Sequence, residues 1–335
     1  MKSSPEGALP KVAVIIVNWN GEKFLERCLT ALSQQTVAPH EVILVDNASS
    51  DSSLDIARDF SFVKLLPQSE NLGFARGNNL AIKQVSTESE WVALLNPDAF
   101  ADRHWLESLL DAAVKYKEFD VFGSKLVNAE NPSLLDGVGD VYHLSGLAWR
   151  KGHGALDAHD IESPSEIFSP CAAAAIYRLS ALMEVGGLDE DYFCYVEDVD
   201  LGFRLRLAGY RCLYVPTSIV QHVGSGTTGG KHSDFSVYHG HRNLVWTYIK
   251  DMPEILFWGF LPLHLLLNLV TVIYFVVRGQ GKIISRSKWD AIKGIPSAWR
   301  KRRATQLRRK ATVLDIWRLL DKRIIPIRRA NFWRR

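Results

Sequence analysis

The stretch VAVIIVNWNG, residues 12 to 21, decides how the rest of the chain is read. Its six leading apolar residues, rich in Val and Ile, fit a short strand buried on both faces, as in a parallel sheet. They stop abruptly at Asn18 and pass into a polar turn. Three more runs repeat the pattern: EVILVD (41–46), FVKLL (62–66) and WVALL (91–95). Between them lie helical stripes. Phe24, Leu25, Cys28, Leu29 and Leu32 make one, Leu54, Ala57 and Arg58 a weaker second, and Leu80, Ala81 and Gln84 a third. This alternation predicts an α/β fold with a mostly parallel sheet, in which ligands bind at the carboxyl ends of the strands.

Composition agrees with a folded enzyme-sized chain: 335 residues, 47% apolar and 23% charged. The net charge of +3 conceals two unlike parts. Residues 1–277 carry 21 Lys and Arg against 34 Asp and Glu, a net −13, whereas residues 278–335 carry 19 against 3, a net +16. Four cysteines, Cys28, Cys171, Cys194 and Cys212, show neither C-x-x-C nor metal-ligand spacing, which predicts reduced, buried thiols. The polar first ten residues read as a flexible terminus, and VAVIIV is too short for a signal-peptide core. No nucleic acid is expected as a partner.

Each predicted strand runs into a polar cluster: NWNG (18–21), DNASSD (46–51), ENLGFARGNN (70–79) and NPDAF (96–100). Singly these are ordinary turn and cap formers; together they line one rim. Such a rim suits a nucleotide diphosphate. Asp46 is placed to accept from a base N–H, Arg76 to reach base or phosphate, and Asn18 and Asn71 stand beside them. Asp98 is a hard oxygen ligand for Mg²⁺ or Mn²⁺. Neither a P-loop sequence nor G-x-G-x-x-G follows the first strand, which disfavours a P-loop NTPase and a nicotinamide dehydrogenase.

Further on, FCYVEDVDLGFRLRLAGY (193–210) places Glu197, Asp198 and Asp200 at the start of a helix that Gly209 ends. A helix N-terminus favours negative charge by roughly 0.3–1 kcal/mol. That explains the sign of the three acids but not their aromatic setting. Tyr192, Phe193 and Tyr195 would line a groove on which sugars stack.

The order VAVIIVNWNG, VDNASSD, NLGFARGNN, LLNPDA, VGGLDEDYFCYVEDVDLGFRLRLAGYR and QH (221–222) resembles the family 2 glycosyltransferases, in particular their bacterial rhamnosyltransferase-like branch. The resemblance covers roughly residues 10–250. It implies a GT-A fold, a nucleotide-sugar donor (dTDP- or UDP-sugar), a divalent metal and inversion at the anomeric carbon. It makes Asp198 the base that takes the acceptor hydroxyl's proton, with Glu197 and Asp200 orienting it, binding the acceptor or capping the helix. It gives His222 to the metal or diphosphate and Arg242 to the diphosphate, with GSGTTGG (224–230) as a lid. The family's D-x-D reads N-P-D here, so only Asp98 of its carboxylates is kept. The rival activities are a sugar-phosphate nucleotidyltransferase, whose Gly-rich amino-terminal loop is missing, and a noncatalytic membrane scaffold.

Residues 255–277, ILFWGFLPLHLLLNLVTVIYFVV, contain no charged side chain. About 20 such residues suffice to cross a bilayer. A single span would nevertheless export the +16 tail, against the positive-inside rule. Gly259, Pro262, His264 and Asn268 interrupt the segment, and Trp289, Trp299, Leu307, Trp317, Leu319 and Leu320 alternate with basic residues. The expectation is a glycosyltransferase domain over 11–250, a membrane-associated segment over 255–277 and a basic amphipathic tail over 278–335. These would give monotopic or re-entrant attachment at the cytoplasmic face, on an anionic lipid surface, beside a lipid-linked glycan acceptor.

Overall fold

A computed structural model describes residues 9–156, 161–224 and 233–323. The strands are β1 (Val12–Asn18), β2 (Glu41–Asp46), β3 (Val63–Pro67), β4 (Trp91–Leu95), β5 (Ala99–Ala101), β6 (Val121–Asn128), β7 (Leu135–Gly137), β8 (Asp140–Tyr142), β9 (Ala148–Arg150), β10 (Ser165–Glu166), β11 (Ala174–Arg178) and β12 (Cys212–His222). The helices are α1 (Glu22–Ser33), α2 (Ser53–Arg58), α3 (Gly73–Ile82), α4 (Trp105–Lys115), α5 (Leu179–Val185), α6 (Glu197–Leu207), α7 (Asp234–Asp251), α8 (Glu254–Val277), α9 (Gly281–Leu307) and α10 (Val313–Leu319). The amino-terminal residues 1–8 and the stretch 225–232, which holds most of the expected lid, lie outside the described residues.

The main sheet has the order β10-β12-β6-β11-β4-β1-β2-β3. Of its strands of five or more residues only β11 runs against the others, pairing antiparallel with β4 and β6. β1 shows why its sequence is almost wholly apolar. Val12, Val14 and Ile16 enter one core with Leu25 and Leu29 of α1 and Leu106 and Leu110 of α4; Ile15 and Val17 enter a second with Ala75 and Ala81 of α3 and Leu201 and Leu205 of α6. Each fully buried aliphatic side chain contributes roughly 1.5–3 kcal/mol. The four predicted strands are present within a residue of their expected bounds. None of the four cysteines is bridged; Cys28, Cys171 and Cys212 are buried, and Cys194 is partly exposed.

A helical layer covers one side. α7 packs on α6 and, along its length, on α9. Tyr142, Phe168 and Phe203 join Tyr248, Phe257 and Ile316 in a third core, so no break in packing falls at residue 250. Apolar α8 is anchored at both ends. At its start Glu254 pairs with Arg302 of α9 and the Phe257 carbonyl accepts from Tyr248 of α7 at 2.7 Å. At its end Phe275 clusters with Val237 and Ile284, and Gln280 donates to Asp234, the first residue of α7, at 2.8 Å.

The expected lipid-facing set in the tail needs correction. Trp299 packs edge-on against Phe257 at 5.6 Å, Trp317 stacks on Phe260 at 5.8 Å and Leu320 is buried. These residues fasten α9 and α10 to α8. Trp289 and Leu307 remain exposed.

Candidate active site

The carboxyl ends of β1 and β2 make the first wall. Asn18 donates to Asp46 Oδ1 at 3.0 Å and to Ser49 at 3.2 Å, and Asp46 also accepts from the Ser49 hydroxyl at 2.6 Å and the Ser49 N–H at 2.9 Å. Both side chains are buried, so the loop is fixed from beneath. Gly21 is required there, since a Cβ would stand 2.2 Å from Asn18 Oδ1. The adjoining wall is the start of α3. Asn71 accepts from Gly73 N–H at 2.9 Å, Asn47 of the β2 loop donates to the Gly73 carbonyl at 3.1 Å, and Arg76 is exposed, 3.9 Å from Glu70.

Across the sheet, β5 pairs antiparallel with the end of β12, which brings Asp98, just before β5, to His222. His222 Nε2 lies 3.3 Å from Asp98 Oδ1, and its Nδ1 is 2.8 Å from Asp136 Oδ2. Burial opposes charge on this imidazole, but the hydrogen bonds and charges of Asp136 and Asp98 prevail and raise its pKa to about 9. Asp136 also pairs with Arg150 at 2.8 Å and His153 at 3.1 Å. Against its burial, these partners hold its carboxyl far below the ordinary range. Arg150 Nε is in turn 3.7 Å from Asp140.

Asp198 completes the arrangement. The loop before it is bent through three non-glycine residues of positive φ, Phe193 (63°), Tyr195 (68°) and Val196 (71°). Such conformations cost of order 1–3 kcal/mol each and persist only where the surroundings impose them. Here buried Asn243 of α7 donates to the carbonyls of Tyr192, Cys194 and Tyr195 at 2.9, 3.0 and 2.7 Å. Asp198 emerges in the first turn of α6, partly exposed, accepting from Val199 N–H at 2.8 Å and Ala172 N–H at 3.3 Å. Ser169 donates to its carbonyl at 3.1 Å. The carbonyl of Ser169 accepts from the N–H of Asp140 at 2.7 Å, which joins Asp198 to the Asp140–Arg150–Asp136–His222–Asp98 chain.

The neighbouring acids have other roles. Successive helical residues turn by about 100°, so Asp200 points roughly opposite to Asp198. It is fully buried, bonded to Arg204 at 2.8 Å and paired with Lys250, and is thereby removed from acceptor binding. Glu197 is also buried, with Oε2 lacking a hydrogen-bond partner; burial, then the nearby charge of Asp198, pushes its carboxyl well above the ordinary range. Asp140 is pushed up to about 7, first by burial and then by Asp198.

Two further corrections concern the loop. Arg242 does not face the rim: it donates to the carbonyls of Asp191 and Tyr192 at 3.1 and 3.0 Å and lies 4.3 Å above the Trp246 ring. Tyr192 is buried with its hydroxyl on Thr247, so it lines no groove; Tyr195 stays partly exposed beside Phe235. Sequence reasoning missed Asp136, Asp140, Arg150, His153 and Asn243. The one available signal was DGVGD (136–140), two acids around a Gly-Val-Gly turn.

Comparison with known proteins decides the family. Residues 13–186 match the sequence profile of glycosyl transferase family 2, and residues 153–278 that of glycosyl transferase family group 2. The chain is 30% identical over 305 residues to N-acetylglucosaminyl-diphospho-decaprenol L-rhamnosyltransferase of Mycobacterium tuberculosis, covering 84% of this chain and 97% of that protein. It belongs to glycosyltransferase family 2. The glycosyltransferase is also 28% identical over 217 residues to rhamnosyltransferase WbbL of Escherichia coli K12, covering 61% of this chain and 80% of that one. Among solved structures it resembles GalNAc-T7 with UDP, GalNAc and Mn²⁺, with a TM-score of 0.59 at 16% identity over 74% of this chain and 49% of that chain. At that identity the likeness establishes the GT-A fold and no more.

Proposed function

We propose that this glycosyltransferase moves a deoxyhexose such as rhamnose, with inversion, from a dTDP- or UDP-sugar to a lipid-linked glycan acceptor in cell-envelope glycan synthesis. The carrying observation is the presentation of Asp198 by a clamped, left-handed loop on one end of a polar chain whose other end is the Asp98–His222 pair. The names of the two rhamnosyltransferase relatives support the sugar and the lipid-linked acceptor.

In the reaction the Asp198 carboxylate accepts the proton of the acceptor hydroxyl as its oxygen bonds to the anomeric carbon. The bond from that carbon to the nucleotide's diphosphate oxygen breaks on the opposite face, and its electron pair leaves on the diphosphate. Such a base typically contributes about 10²–10⁴ in rate. Asn18, Asp46 and Asn71 shape the nucleotide's side of the rim, and Arg76 projects from it. Tyr195, partly exposed on the Asp198 loop, borders the acceptor's side, with Glu197 buried beneath it.

The residues also fit a divalent cation. Asp98 offers a carboxylate, and the buried imidazole of His222 stands beside it, its Nε2 3.3 Å from Asp98 Oδ1. Among the described residues no three such ligands converge. Mg²⁺ or Mn²⁺ commonly takes one or two protein ligands together with substrate phosphates. Bound there, the ion would offset the charge of the leaving diphosphate.

The protein's place is the cytoplasmic face of the membrane. α8 is 24 residues long, holds an 18-residue stretch of mean hydropathy 2.2, and most of that stretch is unburied. Anchored to α7 and α9 at both ends, it suits a helix lying in the interface rather than crossing it.

A panel of nucleotide sugars tests the activity: nucleoside diphosphate should be released upon sugar transfer to a polyprenyl-diphospho-sugar. Release of pyrophosphate from a nucleoside triphosphate and a sugar phosphate would instead identify a nucleotidyltransferase, and no turnover with any donor a scaffold.

A further inference from the structure

A cavity of about 500 Å³ opens beside the carboxylate chain, and neither the family pattern nor the donor rim accounts for it. Asp140 and Arg150 form its inner end, Trp149 and Phe168 its apolar walls, and Lys151 and Arg323 lie at its outer part. The volume falls within the range of small-molecule sites, which combine apolar walls with a few polar groups. At the inner end Arg150 Nε and Asp140 meet only in a loose ion pair at 3.7 Å, and Asp140 Oδ2 lacks a hydrogen-bond partner. Unsatisfied groups of this kind call for a ligand or water, because each costs roughly 1–3 kcal/mol.

One wall comes from the far end of the chain. After α10 the backbone of Asp321 exchanges hydrogen bonds with β8 and the turn beyond it: its N–H donates to the Tyr142 carbonyl at 2.9 Å and its carbonyl accepts from Leu144 N–H at 3.1 Å. His143 Nε2 is 3.0 Å from the Arg323 carbonyl. This places the Arg323 guanidinium 5.5 Å from the centre of the Trp149 ring. The same segment leads back to the membrane helix, since Trp317 of α10 stacks on Phe260 of α8. The cavity therefore runs from Asp140, which Ser169 links to Asp198, to the carboxyl-terminal segment that packs on α8.

Charge favours an anionic occupant at the outer part. Glu166 is neutralised by Arg206 and Arg211 at 2.6 and 2.7 Å, and Asp321 by Arg323 at 2.7 Å. Lys151 is exposed and has no ion-pair partner among the described residues. Arg323 uses only part of its five-donor fork on Asp321.

We propose that this cavity is the acceptor site: the acceptor's terminal sugar stacks on Trp149 and meets Arg150 and Asp140, while its diphosphate is held by Lys151 and by Arg323 of the carboxyl-terminal segment. The assignment rests on the lipid-linked acceptor proposed above and adds the residues that hold it. The sequence singles out none of these three residues: Trp149 and Lys151 lie in the stretch 128–170, which carries no readable acceptor signature, and Arg323 lies in the tail expected at the lipid surface.

The test uses the full chain in detergent with two acceptor probes, a farnesyl-diphospho-N-acetylglucosamine and the uncharged octyl N-acetylglucosaminide. The double variant Lys151→Glu, Arg323→Glu should raise the acceptor KM and the calorimetric Kd of the diphosphate probe at least tenfold. The donor KM and the KM of the uncharged probe should hold. Trp149→Ala should raise the KM of both acceptors. The milder pair Lys151→Gln, Arg323→Gln should give an intermediate shift, and a thermal melt checks that each variant is folded. If wild-type protein binds the diphosphate probe and the charge-reversed variant binds it equally, or if donor and acceptor KM rise together, the cavity is not the diphosphate site. If wild-type protein binds donor but neither binds nor glycosylates either probe, the lipid-linked acceptor itself is wrong and this assignment falls with it.

Discussion

Asp198, the proposed base, lies among carboxyl groups whose settings differ from its own. Glu197 and Asp140 are both pushed up, first by burial and then by Asp198 itself, while Asp200 is turned away into its pairs with Arg204 and Lys250. Asp198→Asn preserves the shape and the two backbone hydrogen bonds, so donor affinity measured by calorimetry should stay within about twofold. Turnover should fall by roughly 10²–10⁴, and near-wild-type turnover with an assigned acceptor would remove Asp198 as the base. Asp98→Ala should act differently. It takes away the carboxylate next to His222 Nε2, so its loss, on the order of 10²-fold, should vanish when both enzymes are assayed in excess EDTA, where wild-type activity also collapses. Full wild-type activity in EDTA would exclude the ion. Asp98 and His222 were visible in the sequence because each follows a strand, and the sheet brings those ends together. Arg150 was not, because only the three-residue strands β7, β8 and β9 carry it to Asp136, and strands that short leave no periodicity to read.

At the level of elements, the near-continuous apolar runs made β1, β2 and β4 legible, since a strand buried on both faces has only one way to look, and β3 kept an apolar run although it is the half-buried edge strand. The sequence of α7 is less telling. It carries polar groups all round, yet it holds the loop before Asp198 through Asn243 and the turn at Asp189 through Lys250. Lys250 pairs with Asp189 at 2.6 Å, and Asp189 is paired as well with Lys301 of α9. These partners lie 61 and 112 residues from Asp189, beyond the reach of any local pattern. Burial opposes ionisation of Asp189, but both lysines prevail and hold its carboxyl below the usual range. Its stabilising contribution is therefore full above about pH 4, the unfolded value, and is lost as acid protonates the native carboxylate. Asp189→Asn leaves buried Lys250 with Asp200 alone and should cost, at pH 7, less than the roughly 3–5 kcal/mol of a wholly unpaired buried charge. Urea midpoints should show the gap between variant and wild type closing as the pH is lowered towards 2; a gap independent of pH would mean that packing, not charge, fastens the helices to the loop.

For the whole molecule the deciding relation is between α8 and the helices beside it. A 24-residue helix is about 36 Å long, enough to cross a bilayer. Crossing would separate its two ends by a membrane, yet one end is tied to Arg302 and Tyr248 and the other to Asp234 and Val237, and all four residues belong to the adjacent, charged helices α7 and α9. Carrying those helices into hydrocarbon would place Arg and Lys near the bilayer centre, at roughly 2.5–3.5 kcal/mol each. Lying flat avoids that cost and still buries the exposed row of Leu266, Leu269, Val270 and Ile273 in the interface. Two consequences can be measured. Leu269→Glu with Ile273→Glu removes two apolar anchors worth roughly 1.5–3 kcal/mol each, so flotation with anionic vesicles should show affinity lower by on the order of 10²-fold or more. A single cysteine introduced at exposed Lys322, in a chain whose four natural cysteines are changed to serine or alanine, should resist a membrane-impermeant maleimide in intact cells and react after permeabilisation. Efficient labelling from outside would mean that α8 spans the membrane after all, that its contacts with Asp234 and Val237 are broken there, and that the carboxyl-terminal wall of the acceptor cavity lies on the wrong side of the bilayer to serve it.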